Sequence, residues 1–353
     1  MLENLPFPGS GTGVLNGSRR SLIAAILGAG LASATEANAQ LPPVGSVDFY
    51  GARKTTHAQV REVLGINVGD SLSALSLLTV PARLAELPNV ISASVHPVCC
   101  EGGRTMVYVG VAEEGAPRLE LRPQPDGAIR LADDVVMTGQ RFAEAHRVAI
   151  LRSIVSEDVS QGHSLMSDSI ARRIQRRYIE IAARDLDTLR KVLRTSASAD
   201  HRALAAEILG YVTNKQSVVD DLVYAMRDAS VEVRNNATRA LALIALLGQK
   251  RPASEIRVPY EPFIDLLNSL AWTDRNKASL ALMQLTESRD PTLLAALKAR
   301  AFDSIVDIAR WTNPGHSLAG VFMLSRMAGI ADAEAFAMFE RGEKEKIIAA
   351  ARK

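Results

Sequence analysis

The chain has only two cysteines in 353 residues, and they are adjacent, at Cys99 and Cys100. Such a pair excludes the disulfide frameworks that staple small secreted domains. No further cysteine or spaced histidine completes a metal-ligand set, and His96 stands alone beside the pair. Aromatics are 5% of the residues and the net charge is +2. A dedicated nucleic-acid surface, which needs concentrated positive charge and stacking platforms, is therefore not encoded. A Gly-rich phosphate loop, a zinc-type His pair, a nucleophile elbow and cysteines at metal spacing are also missing. His57, His96, His146, His163, His201 and His316 are scattered along the chain. The expectation is a non-enzyme with no cofactor and no metal.

No apolar run reaches the ~20 residues that a membrane-crossing helix needs. The run that comes nearest lies at the start: Arg19 and Arg20 precede an apolar stretch from Leu22 to about Leu31, and Ala37, Asn38 and Ala39 follow. A basic start, a short apolar core and small residues at an exit form the pattern of a secretory signal. It predicts residues 1–39 as a signal peptide cleaved between Ala39 and Gln40, by the general secretory or the twin-arginine route, and a mature protein in the periplasm or cell envelope.

Residues 44–114 read as a small α+β module. Val44 to Tyr50 is β-prone and stops at Gly51; Thr55 or Thr56 then caps a helix carrying Val60, Val63 and Leu64 on one face, closed by Gly65. A turn at Gly69 and Asp70 leads to a second helix with Pro81 in its first turn, running through Leu84 and Leu87 to Pro88. Two strands follow, Val90 to Val98 and Arg104 to Glu113, joined through Glu101, Gly102 and Gly103. This β-α-α-β-β order, with Gly51, the Gly69-Asp70 turn, Leu87-Pro88-Asn89-Val90 and the Gly110 to Glu114 exit, resembles the POTRA domain of outer-membrane assembly factors. The resemblance implies protein binding in the envelope, often by adding a strand to the sheet edge. The strand Val90 to Val98 is the expected edge, with Ala93 at its middle. No β-barrel follows, so a role in membrane insertion is not implied. Cys99 and Cys100 lie at the hairpin end, where they either close a strained vicinal disulfide or stay two separate thiols.

Residues 115–165 are a connector. Leu119 to Arg122 and Ala128 to Leu131 flank Pro125, Asp126 and Gly127, which predicts a small hairpin or an extended arm, and a helical pattern begins at Asp133. Glu157, Asp158, His163 and Ser164 read as a capped turn between helices rather than as a catalytic group.

Residues 167–353 repeat themselves. Arg202, Ala205 and Leu209 reappear as Arg234, Ala237 and Leu241, and the run Arg234, Asn235, Asn236, Ala237, Thr238 reappears as Arg275, Asn276, Lys277, Ala278, Ser279. The polar, proline-bearing stretch from Gln249 to Pro262 loops out between copies. An apolar helix, an Asp-bearing turn and a second helix that opens on Arg and packs small alanines resemble the HEAT repeat, an armadillo-like helical fold. One such pair cannot bury its apolar faces alone, so pairs stack. Asp228, Arg234, Asp274 and Arg275 are expected to form a structural ladder between neighbours. A helical stretch from Ile170 to Leu193 is rich in arginine, and Arg176 and Arg177 on it form a candidate partner surface for an acidic protein or anionic head groups. The whole predicts a protein-binding scaffold of the envelope. A structural spacer without a partner, or by resemblance alone a HEAT-like lyase, are the other readings of the same residues.

Overall fold

The computed structural model describes residues 41–73 and 77–353, with the backbone alone at Cys100 and Glu101. The signal segment with Ala39 and Gln40, and the side chain of Cys100 on which a vicinal disulfide depends, lie outside the described residues. The chain forms two compact units: one gathers the residues up to Arg118 with Asn268–Trp272 and Leu294–Lys353, the other Leu119–Leu267 with Thr273–Leu293. The reading from sequence puts all of 167–353 in one helical body, whereas here its last helices cluster with the sheet.

In the sheet unit, β1 (Val44–Tyr50) leads to α1 (His57–Leu64), α2 (Val80–Leu84), β2 (Val90–Glu101) and β3 (Arg104–Glu113). Thr56 is the residue that caps α1, accepting from the Gln59 N–H while the Gln59 side chain returns to the Thr56 N–H, and Gly65 closes the helix in the left-handed region. α2 stops at Leu84, short of the expected Leu87, and β2 runs three residues beyond Val98 to take in both cysteines. The strand order is β1-β3-β2, with β1 parallel and β2 antiparallel to the central β3.

Val107, Val109 and Val111 of β3 face α1 and α2 in one apolar cluster with Val60, Leu64 and Leu84. Met106 and Tyr108, which alternate with them, are buried as well. Their face is closed by the last helices of the same unit, which follow Leu294: the rest of α11 (Pro291–Arg310), then α12 (Pro314–Met327), α13 (Asp332–Glu340) and α14 (Lys344–Arg352). The Tyr108 ring lies 5.0 Å from those of Trp272 and Trp311, and its hydroxyl is 2.6 Å from Nδ1 of His316. Asp48 of β1 accepts from the Thr312 amide and hydroxyl at 2.9 and 2.7 Å. A half-open sheet of about seventy residues thus becomes a covered one, which explains why β3 is apolar on both faces.

In the repeat unit, residues 119–131 form an extended arm. The hairpin that Pro125, Asp126 and Gly127 suggested does not form, because the arm pairs with helix-connecting turns instead of with itself: Gly127 donates to Thr195 O and accepts from the Ala197 N–H, and Arg122 donates to Arg227 O. Then come α3 (Asp133–Leu151), a two-strand clip of β4 (Glu157–Asp158) with β5 (Leu165–Met166), and α4 (Ser169–Arg184). The arginine-rich helical stretch expected over 170–193 consists of two helices divided at Asp185, after which α5 (Leu186–Thr195) begins. The stack continues through α6 (Ala199–Leu209), α7 (Val219–Ala225), α8 (Val231–Lys250), α9 (Glu261–Leu266) and α10 (Trp272–Leu285). Small alanines at 205, 206, 237, 240 and 278 are buried where these helices meet, and Leu241 has no exposed surface. Among the described residues no helix is long and apolar enough to cross a membrane.

Candidate partner-binding site

The repeat unit spends its buried charges on holding itself together. Arg202 reaches Asp228 through Nε and Nη2, both at 2.8 Å, while its Nη1 donates to Ser196 O. One repeat on, Arg234 does the same with Asp274 and with Asp228 O, at 2.9 and 2.7 Å. Each arginine thus ties its own helix to the turn six residues before it and to the acid of the next repeat, which gives the expected ladder for Asp228, Arg234 and Asp274. Fork geometry makes arginine the residue for this task.

A second row occupies the repeat position five residues after each ladder arginine. Glu207 follows Arg202 and Arg239 follows Arg234 at that distance, and Lys277 lies nearby on α10. Arg239 is held by both carboxylate oxygens of Glu157 from the β4-β5 clip, and Asp158 turns away to Arg172 at 3.2 Å. His163 goes to Lys215 at 3.1 Å. Glu157, Asp158 and His163 thus go to three different partners, and the Ser164 carbonyl accepts from the Tyr211 hydroxyl, so the four are not brought together as one group. Burial pushes Glu207 up to about 7 against the pull of Arg239, and pushes Lys277 down to about 7.

A raised carboxyl stabilises the fold less as pH rises from its unfolded value of about 4.3 toward its folded one. His163, pushed down to about 4 by burial and then by Lys215, acts in the opposite sense over much the same range. Urea midpoints of Glu207→Gln and of the unaltered protein, compared at pH 5 and pH 7, separate the two. The variant should gain stability relative to the parent between those values; an unchanged difference would mean that Glu207 ionises normally.

An open groove of about 1030 Å³ runs between α3 and α4. Its floor is apolar, with Met137, Ala145, Val148, Ile170, Ile174 and Ile181. Arg141, Arg152, Arg173 and Arg177 line it as well. The acids that could neutralise this rim are already engaged. Asp134 pairs with Arg184 at 2.9 Å and Glu144 with Arg147 at 2.6 Å, while Asp168 caps α4 by accepting from Ile170 and Ala171. Of the predicted partner surface, Arg177 lines the groove but is paired with Glu180, and Arg176 is exposed on the same helix without an ion pair among the described residues. The contribution of α3 was missed in the sequence. Its signal was present in Met137, Arg141 and Val148, spaced by four and seven, but a connector helix gives no reason to expect an outward face that is both apolar and basic.

The other predicted surface lies in the sheet unit. β2 is at a sheet edge, and Ala93 sits mid-strand opposite Val111. Residues 186–257 match the family of HEAT repeats. The match spans α5 to α8, the segment in which the arginine ladder begins, so the likeness to HEAT repeats covers that part of the helical stack. No curated protein matches the chain. Among solved structures it is similar to a designed armadillo repeat protein in complex with the peptide (KR)4, at 19% identity and a TM-score of 0.35, over 62% of this chain and 98% of the other. Computationally designed armadillo repeat proteins for modular peptide recognition are similar at 19% identity and a TM-score of 0.36, with the same coverage. These likenesses are too distant to transfer a ligand.

Proposed function

We propose that the protein is an exported scaffold that binds another protein of the cell envelope, with strand addition to β2 as one mode of attachment. The observation that carries this reading is the outer position of β2, a strand of twelve residues bonded to β3 on one side. A long edge invites pairing; Pro97 removes one donor from it, and the register shifts between Val90 and Ser92 and between Val98 and Glu101 leave 92–98 as its regular part. The β-α-α-β-β order and the β1-β3-β2 topology support a POTRA-like module, and the signal-like segment supports export. A stack of HEAT-type helices supports binding over chemistry.

A photo-crosslinking side chain at Ile91, an exposed residue of β2, should trap a partner in the native envelope, and the recovered protein should begin at Gln40. Ala93→Pro should abolish that crosslink while circular dichroism stays unchanged, because a ring mid-strand obstructs an incoming strand. A crosslink that survives Ala93→Pro, or an intact Met1 in the cytosol, would refute strand addition or export respectively.

A further inference from the structure

We propose that the groove between α3 and α4 is a docking site for an amphipathic helix of a partner protein, with an apolar stripe and acidic flanks. The inference rests on reading the chain as a protein-binding scaffold, and it adds a second surface with a defined partner chemistry. Two observations carry it. The apolar lining is open: Met137 and Ile170 are 47% and 48% exposed, and they line the same groove as Ile174 and Val148, which are half-buried. Exposed apolar surface gathered in a groove, unlike single scattered side chains, marks a binding site.

The second observation is uncompensated charge. Arg141, Arg152 and Arg173 line the groove, with Arg176 beside them, and none has an ion pair among the described residues, whereas Asp134, Glu144 and Asp168 have their partners. A ligand that lays apolar side chains on the floor meets arginines as it does so, which selects acidic flanks over basic ones. The groove lies between helices of nineteen and sixteen residues. A third helix in that channel packs as helices pack throughout the repeat unit, and a helix presents its apolar anchors at every third and fourth position.

The probe is a fluorescein-labelled helical peptide of about five turns, with leucines at i, i+3, i+4 and i+7 and glutamates on both flanks. A matched peptide carries lysines instead. Anisotropy against the full mature chain should show the glutamate peptide binding at least about tenfold more tightly than the lysine peptide. The double variant Arg141→Glu/Arg173→Glu should remove that preference. Met137→Asp, at an exposed position, should weaken the glutamate peptide with the far-UV spectrum intact. Equal binding of both peptides, or no change in either variant, would overturn the proposal. So would co-sedimentation with phosphatidylglycerol vesicles that the glutamate peptide fails to displace, or a dimer of the chain that the double variant dissociates. If the peptide fails while the Ile91 crosslink remains sensitive to Ala93→Pro, the groove assignment falls and the scaffold stands. If the crosslink also fails, the scaffold reading falls with it.

Discussion

Arg234→Ala should cost about 3–5 kcal/mol, the range for removing one partner of a buried ion pair. Arg234 is 2% exposed and Asp274 1%, so the carboxylate left behind would have little water to replace the guanidinium. Two backbone carbonyls, those of Asp228 and Ala229, would lose their donor in the same step. Arg234→Lys should recover only part of the loss, since a point charge cannot serve the carboxylate and both carbonyls at once. The double variant Arg234→Met/Asp274→Leu should be more stable than Arg234→Ala, because it removes the stranded charge together with its partner. Urea denaturation followed by far-UV dichroism provides the comparison. A loss below about 1 kcal/mol for Arg234→Ala would place the residue on the surface and break the assigned register of the repeats.

Gly51→Ala should disable the sheet unit. Gly51 has φ +84°, and a Cβ placed on it would sit 2.0 Å from the backbone oxygen of Val111. The strain of the left-handed region, about 1–2 kcal/mol, adds to a backbone clash that only a shift of β3 against β1 can relieve. That shift would also draw the Gly51 amide away from Asp307, to which it donates at 2.9 Å. A loss of about 3 kcal/mol or more is expected. Gly69 is the control. Its φ is +96°, yet a Cβ there meets nothing within 4 Å, so Gly69→Ala should cost only the conformational part. Thermal midpoints of the two variants compared with the parent decide the matter: equal losses would show that conformation alone, and not the approach of Val111, requires the glycine.

These two sites differ in how legible they were. The arginine ladder could be read in outline because a repeat writes the same contact several times, and the recurrence of Arg202 at Arg234 and Arg275 identifies positions that face a neighbour. Gly51 could be read as a strand stop, but its closeness to Val111 depends on a parallel pairing of β1 with β3 across sixty residues of sequence. The same holds for Tyr108. Period-two alternation marks Val107, Val109 and Val111 as one buried face, while the burial of the opposite face against Trp311 and His316 involves residues some two hundred positions away.

Local chemistry is what the sequence by itself determined: a capped start of α1 at Thr55 or Thr56, the Gly65 and Gly69 turns, the order of strands and helices, and the arginine-acid spacing of the repeats. Each depends on interactions within a few residues or on a period that the chain repeats. Tertiary structure alone decided that the last helices cover the sheet, that the arm 119–131 lies along helix-connecting turns instead of folding on itself, and that α3 and α4 leave an apolar channel lined by arginines. Those outcomes depend on which distant surfaces compete for the same apolar area and the same backbone donors. Burial is a property of the pair that meets and not of either partner's sequence.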